Sequence, residues 1–213
     1  MHRGSPTTQF ADREEAGQRL GERLRQENVD GDIVLAIPRG GLPLGRAVAD
    51  AIDAPLDIVV AKKIGAPGNP EFAIGAVAAD GSVWLNERVI ERQGIGRDYV
   101  ADAREQKARE ARQKAERYRD GPPPELAGKR VVIVDDGVAT GATVRACIEQ
   151  VRAEQPARIV LAVPVGSPRT MEELEEMVDA VVALETPADF RAVGQFYQDF
   201  AQVTDEEAMA YLD

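Results

Sequence analysis

Two acids stand side by side at the end of an apolar run, and a turn of small residues and hydroxyls follows them. The stretch is Asp135-Asp136-Gly137-Val138-Ala139-Thr140-Gly141-Ala142-Thr143, preceded by Val131 to Val134. Small side chains at 139 to 143 leave backbone N–H groups free to wrap an anion where a helix opens. The helix dipole adds about half a positive charge there. Thr140 and Thr143 add hydroxyl donors. These are the parts of a phosphate cradle. The paired carboxylates would repel a bare phosphate, so they fit a ligand that also carries a sugar diol, or a Mg²⁺ that they help to hold. The competing reading is a tight strand-to-helix turn in which Asp136 caps backbone amides.

Two further groups of cations and glycines suit an anionic ligand. Pro38-Arg39-Gly40-Gly41 offers a planar guanidinium fork beside two glycines that let backbone N–H groups turn toward an oxyanion. Lys62 and Lys63 are adjacent, although the chain has only three other lysines, at 107, 114 and 129. Neighbours on an extended chain point to opposite sides, which sends one lysine toward a site and the other toward solvent. Residues 64–72 carry glycine at 65 and 68 and proline at 67 and 70. They read either as a lid that excludes water or as a stiff surface loop. Glu71 receives no role. Trp84 reads as packing over a sheet, Cys147 as a small core residue, and Phe190, Phe196, Tyr197 and Phe200 as packing for the last helix.

The elements that must position these groups follow from apolar patterning. Ile33 to Ile37, Ile58 to Ala61, Val131 to Val134, Ile159 to Val163 and Ala180 to Leu184 are short continuous apolar runs, the sign of strands buried on both faces. Helices are expected from Asp12 to about Asp30, from Pro43 to Ile52, over 97–119, and from Gly141 to Ala153. Glu105 with Arg109 and Glu110 with Lys114 are favourable i,i+4 pairs on the third of these. Ser167-Pro168 and Thr186-Pro187 look like helix starts, and Thr204 with Glu207 like a capping box. A hairpin is expected around Asp80-Gly81. The pattern predicts an α/β fold, a mainly parallel sheet with helices on both faces. Segments 1–30 and 185–213 are expected to form a peripheral hood on this single domain. In such sheets ligands bind beyond the carboxyl ends of the strands, where Arg39, the two lysines and the acid pair all fall.

Val131 to Thr143 resembles the ribose-5-phosphate motif of the type I phosphoribosyltransferases: four apolar residues, two acids, two mostly apolar residues, then a turn rich in threonine and glycine. From Ile33 to its C-terminus the chain also resembles a group of predicted phosphoribosyltransferases of unassigned substrate. That group shares the Pro-Arg-Gly-Gly turn, the stretch from Lys63 to Phe72 and the acidic motif. The resemblance implies that Asp135 and Asp136 bind the ribose hydroxyls of phosphoribosyl diphosphate and that 139–143 hold its 5′-phosphate. It implies that Arg39, Gly40 and Gly41 grip the diphosphate, helped by Lys62 or Lys63. Asp135, Asp136, Arg39 and Lys63 are then the catalytic candidates. Gly40, Gly41, Lys62, Gly137, Val138, Ala139, Thr140, Gly141, Ala142 and Thr143 extend the substrate-binding surface. Mg²⁺ is the expected cofactor, held mainly through the ligand. Gly137 departs from the family, which usually has an aliphatic residue there. Family members acting on 6-oxopurines carry an aspartate where this chain has Ala139, so hypoxanthine and guanine are poor candidate acceptors.

Composition sets outer bounds. Twenty-six Lys and Arg against 37 Asp and Glu give a formal net charge of −11 across 213 residues, which works against nucleic-acid binding. No apolar run approaches the ~18 residues of a membrane span, and Met1 to Ser5 lead into no signal-peptide core. Cys147 is the only cysteine and His2 the only histidine, excluding a disulfide framework and imidazole catalysis. A cytoplasmic protein is expected. Scarce lysine with excess carboxylate resembles a salt-adapted surface; unfolding should then need more denaturant in multimolar KCl, and equal stability at low salt would contradict this. The expected activity is transfer of ribose 5-phosphate to an unidentified acceptor with release of diphosphate, by a protein whose relatives often pair as homodimers. A non-enzymatic regulator binding the same ligand, and a hydrolase with water as acceptor, are the alternatives. A phosphoacceptor receiver domain is disfavoured by the glycine and threonine turn after Asp136.

Overall fold

The structure, a computed structural model, describes residues 10–213; His2 lies outside the described residues. In chain order the elements are α1 (Arg13–Gln26), β1 (Ile33–Ala36), α2 (Gly41–Ile52) and β2 (Leu56–Ile58). Then come β3 (Ala61–Ala66), β4 (Asn69–Ala78), β5 (Val83–Leu85), α3 (Glu87–Gln93) and α4 (Arg97–Tyr118). The alternation resumes with β6 (Arg130–Val134), α5 (Ala142–Ala153), β7 (Arg158–Val165), α6 (Pro168–Glu175) and β8 (Ala180–Glu185), and α7 (Asp205–Met209) follows near the end.

Five strands form a wholly parallel sheet in the order β2-β1-β6-β7-β8. Their side chains alternate between two covered faces. Val34, Val132, Val134 and Val160 pack beneath α1 and α2, while Leu35, Val131, Ile133 and Leu161 pack beneath α5 and α6. The order of strands reverses between β1 and β6. The helices that follow these neighbouring strands, α2 and α5, lie on opposite faces of the sheet, the arrangement in which ligands bind at the carboxyl edge.

The segment expected to be peripheral at the N-terminus is a layer of the core. Leu20 and Leu24 of α1 are fully buried against α2 and the sheet; truncating either to alanine should cost about 2–5 kcal/mol. Asp12 caps this helix as expected, accepting the Glu15 N–H at 2.9 Å. The residues just before it, from Phe10, meet Tyr197 with ring centroids 5.3 Å apart.

Four local expectations are corrected. The apolar run 58–61 is split between two sheets: β2 stops at Ile58, and the chain crosses into a separate antiparallel sheet, β3-β4-β5. Lys62 and Lys63 therefore lie within β3, opposite Val77 and Ala76. An antiparallel sheet can leave one face to water, so it tolerates them. Residues 64–72 are the β3–β4 hairpin, turning at Gly68 with φ +73°. No helix starts at Thr186-Pro187. Instead Phe190 stacks on Phe196 at 5.6 Å, and a 3-10 turn spans Val193–Phe196. The C-terminal aromatics fasten this segment to the start of α1 rather than packing α7, which is anchored by Ala208 in the cluster that includes Tyr118. Cys147 is buried as expected, and Trp84 packs beside Ala142 and Ala146 of α5.

Candidate functional site

The turn after β1 and the acid pair after β6 are pressed together. Ile37 donates to the Val134 carbonyl at 2.9 Å, and Gly41 donates back to Ile37 at 3.0 Å as α2 begins. The Pro38–Arg39 peptide is cis. A Cβ placed on Gly40 would lie 2.0 Å from Asp136 Oδ2. The glycine therefore leaves room for the Asp136 carboxylate, and a side chain here would displace it from its place beside Arg13.

The two acids have unlike surroundings. Asp136 Oδ2 accepts from Arg13 Nε at 2.8 Å, both side chains being mostly buried. Arg13 also donates to the Ala201 carbonyl at 2.7 Å and lies 3.9 Å from the centroid of the Phe200 ring. The Asp136 carbonyl accepts from the Tyr197 hydroxyl at 2.7 Å. Asp136 thus ties the crevice to both ends of the described chain. Asp135 Oδ1 accepts only the neighbouring Asp136 N–H, at 2.9 Å, and no donor among the described residues meets its Oδ2. Burial pushes both carboxyls above their ordinary value. The Asp136 charge raises Asp135 further, while Arg13 pulls back part of the rise in Asp136.

The cradle follows at once. Gly141 takes φ +72° and opens α5, whose first N–H groups have no intrahelical acceptor. Two ties hold the loop beside β7: Val138 donates to Val165 at 2.9 Å, and the Thr170 hydroxyl donates to the Ala139 carbonyl at 2.8 Å. Ala139 and Thr140 are exposed. A Cβ on Gly137 would sit 2.5 Å from Val193 Cγ1. The C-terminal segment therefore fills the space an aliphatic residue would need, and the departure from the family pattern has a steric reason.

Next to Arg39 lies a cleft of about 460 Å³, lined also by Lys62, Lys114, Arg117, Glu110 and Asp205. Lys114 Nζ donates to the Pro38 carbonyl at 3.1 Å. Burial, with the nearby Lys62 and Arg39 charges, lowers its pKa to about 8. Lys63 does not join this cleft; its Nζ pairs with Glu71 Oε2 at 3.0 Å across the hairpin. The structure brings together Arg39, Gly40, Gly41, Asp135, Asp136 and the 137–143 turn at one edge. It sets Lys62 alongside and Lys63 apart.

Sequence reasoning missed Arg13, Lys114, Tyr197 and Asp205. Lys114 carried a signal, because the scarcity that singled out Lys62-Lys63 applies to it equally. Its assignment to Glu110 was misplaced, since Glu110 accepts from Lys107 at 2.8 Å. Arg13 meets Asp136 across 123 positions of chain, and no local pattern announces that contact.

No three His, Cys, Asp or Glu side chains among the described residues converge as a protein metal cage would require. The acid pair could still supply oxygen ligands to a Mg²⁺ whose other ligands belong to the bound molecule, as Mg²⁺ commonly does with phosphates.

A family described as the phosphoribosyl transferase domain matches residues 7–200. The chain belongs to this family. It is 44% identical over 207 residues to a Mycobacterium tuberculosis protein named "Putative phosphoribosyl transferase", covering 96% of this chain and 46% of that one. The chain thus spans about half the length of the curated relative it matches. A cyanobacterial amidophosphoribosyltransferase from Synechocystis is 27% identical over 135 residues, 63% of this chain and 21% of the relative. The crystal structure of TT1426 from Thermus thermophilus superposes with a TM-score of 0.81 at 42% identity, covering 96% of this chain and 97% of the other. The α/β phosphoribosyltransferase fold, with its five-stranded parallel sheet, is therefore shared. Among the described residues, no helix of this phosphoribosyltransferase-family chain is long and apolar enough to cross a membrane.

Proposed function

We propose that this protein binds phosphoribosyl diphosphate with Mg²⁺ and transfers its ribose 5-phosphate to an acceptor, releasing diphosphate. The observation that carries this reading is the contact between the two loops at Gly40 and Asp136. It sets a cationic turn against a carboxylate pair that runs straight into a phosphate cradle. One ligand with a diphosphate at one end, a diol in the middle and a phosphate at the other matches that sequence of groups.

In this reading the 5′-phosphate sits on the N–H groups and hydroxyls of 139–143, and the ribose hydroxyls donate to Asp135 and Asp136. The bond from the ribose anomeric carbon to the diphosphate oxygen breaks. Its electron pair leaves with the diphosphate, whose growing charge is met by Arg39 and Lys62. The acceptor's lone pair then forms the new bond at that carbon. The protein contributes mainly position and charge. Mg²⁺ would neutralise phosphate oxygens, held chiefly by the ligand and supported by the acid pair.

Calorimetry with phosphoribosyl diphosphate and Mg²⁺, followed by diphosphate release across a panel of bases, tests this. Binding with acceptor-dependent release is expected. With Ala139 offering no titratable group, neither inosine nor guanosine monophosphate should form from hypoxanthine or guanine. Binding with no turnover on any acceptor would favour a regulator, and release of ribose 5-phosphate without a base would favour a hydrolase.

A further inference from the structure

The cleft beside Arg39 holds more positive charge than the sequence motifs account for. In a chain of net charge −11 with five lysines, Lys62 and Lys114 both line it, together with Arg39 and Arg117. Four cations face two acids, Glu110 and Asp205, so the lining carries 4 − 2 = +2. Glu110 is already committed, since both its oxygens accept from Lys107 Nζ, at 2.9 and 2.8 Å. Lys114 is mostly buried, and among the described residues no carboxylate lies within ion-pair distance of it. A buried ammonium without a carboxylate is costly to keep. Its retention beside the Pro38 carbonyl suits an anion delivered by a ligand.

Asp205 comes to this cleft from the first position of α7. Its Oδ2 lies 2.8 Å from Arg117 Nη1, while its Oδ1 accepts from the Tyr118 hydroxyl at 2.5 Å and lies 3.9 Å from Arg39 Nη1. Donors from three side chains thus surround one carboxylate, as they would surround a phosphoryl group. The helix that presents it is five residues long and rests on a capping box between Thr204 and Glu207. Ala208 anchors the middle of this helix, so only its first turn, which carries Asp205, needs to move.

We propose that Lys114 and Arg117 of α4 complete the diphosphate-binding end of the site, and that Asp205, the resident counter-ion of Arg117 and Arg39, is displaced when diphosphate enters. This rests on the proposed function only in placing the diphosphate at Arg39. Through Arg117 and Arg39, Asp205 offsets part of the repulsion among these cations when no ligand is bound. It also links the state of the site to the C-terminal segment: filling the cleft frees α7 from Arg117 and Tyr118.

The test is calorimetry with Mg²⁺-diphosphate and, separately, ribose 5-phosphate, on the wild type, Asp205→Asn and Lys114→Gln. Asp205→Asn should bind diphosphate about fivefold more tightly, and Lys114→Gln about tenfold more weakly, with ribose 5-phosphate affinity unchanged in both. Hydrogen exchange gives a readout that needs no variant: backbone amides of 204–210 in the wild type should exchange faster when diphosphate saturates the protein. A wild type that binds neither ligand would refute the functional reading itself. A wild type that binds both, while Asp205→Asn gains no affinity and exchange at 204–210 stays the same or slows, would overturn the displacement of Asp205. Undiminished diphosphate binding by Lys114→Gln would overturn the part given to α4.

Discussion

The proposed phosphate cradle at 139–143 is one continuous stretch of chain, whereas the cleft beside Arg39 draws Lys62 from β3, Lys114 and Arg117 from α4, and Asp205 from α7. In the proposed function the first works through backbone N–H groups at a helix start, so its chemistry depends on residues being small and closely spaced. The second would work through long charged side chains that reach a common cleft from distant elements. A contiguous site leaves a motif. A distributed site leaves only a composition, here an unusual clustering of scarce lysines. Gly40 is the joint between the two, since its missing side chain is what allows the turn after β1 to touch Asp136.

The largest effect is expected at the acid pair. Asp135→Asn with Asp136→Asn should weaken ribose 5-phosphate binding by on the order of 100-fold or more, since two carboxyl groups are exchanged for amides that accept the ribose hydroxyls less strongly. The single variants should part company in thermal melts. Asp136→Asn weakens the partner of a mostly buried Arg13 and should cost roughly 1–3 kcal/mol. Asp135→Asn replaces a carboxyl that burial and its neighbour already push toward neutrality, and should cost little. Unchanged affinity in the double variant would make both acids structural.

Gly40→Ala tests the joint. The added methyl would meet Asp136 Oδ2 at 2.0 Å, so overpacking of about 1–3 kcal/mol is expected, with both ligand ends weakened together. Loss of one end alone would show that the loops act independently. Smaller still is the contrast between neighbours on β3. Lys62→Ala should weaken diphosphate binding about tenfold, and Lys63→Ala hardly at all, because Lys63 faces Glu71. The reverse result would place the diphosphate on the other face of β3.

The pH dependence of the distributed end should also differ from that of the cradle. Lys114 faces Lys62, Arg39, Asp205 and Asp135, and its pKa falls to about 8. Below that pH it is already charged and attracts diphosphate. Above it the ammonium has lost its proton, and binding must take one up again. Diphosphate affinity should therefore decline from about pH 8 upward, while ribose 5-phosphate affinity stays level over the same range. Titrations at pH 7 and pH 9 would check this, and parallel declines for both ligands would remove Lys114 from the account.

Much of the fold was readable in the sequence because apolar runs such as Val131 to Val134 have few ways to be buried. Helix limits set by capping residues, as at Asp12 and Thr204, were readable for the same local reason. The division of Ile58 to Ala61 between two sheets was not, since an apolar run does not state which sheet buries it. Thr186-Pro187 had the chemistry of a helix start but lacked an amphipathic stripe after it, and aromatic packing prevailed. In the candidate site, the adjacency of the acid pair and the small-residue turn was evident. Arg13 and Asp205 were not, because each gains its meaning from a partner far away in the chain.

The most direct test of a two-ended site is a crossed binding experiment. Arg39→Ala and Asp135→Asn would each be titrated with Mg²⁺-diphosphate and with ribose 5-phosphate. The account predicts that Arg39→Ala loses diphosphate affinity while keeping ribose 5-phosphate, and that Asp135→Asn does the opposite. Equal losses of both ligands in both variants would contradict it.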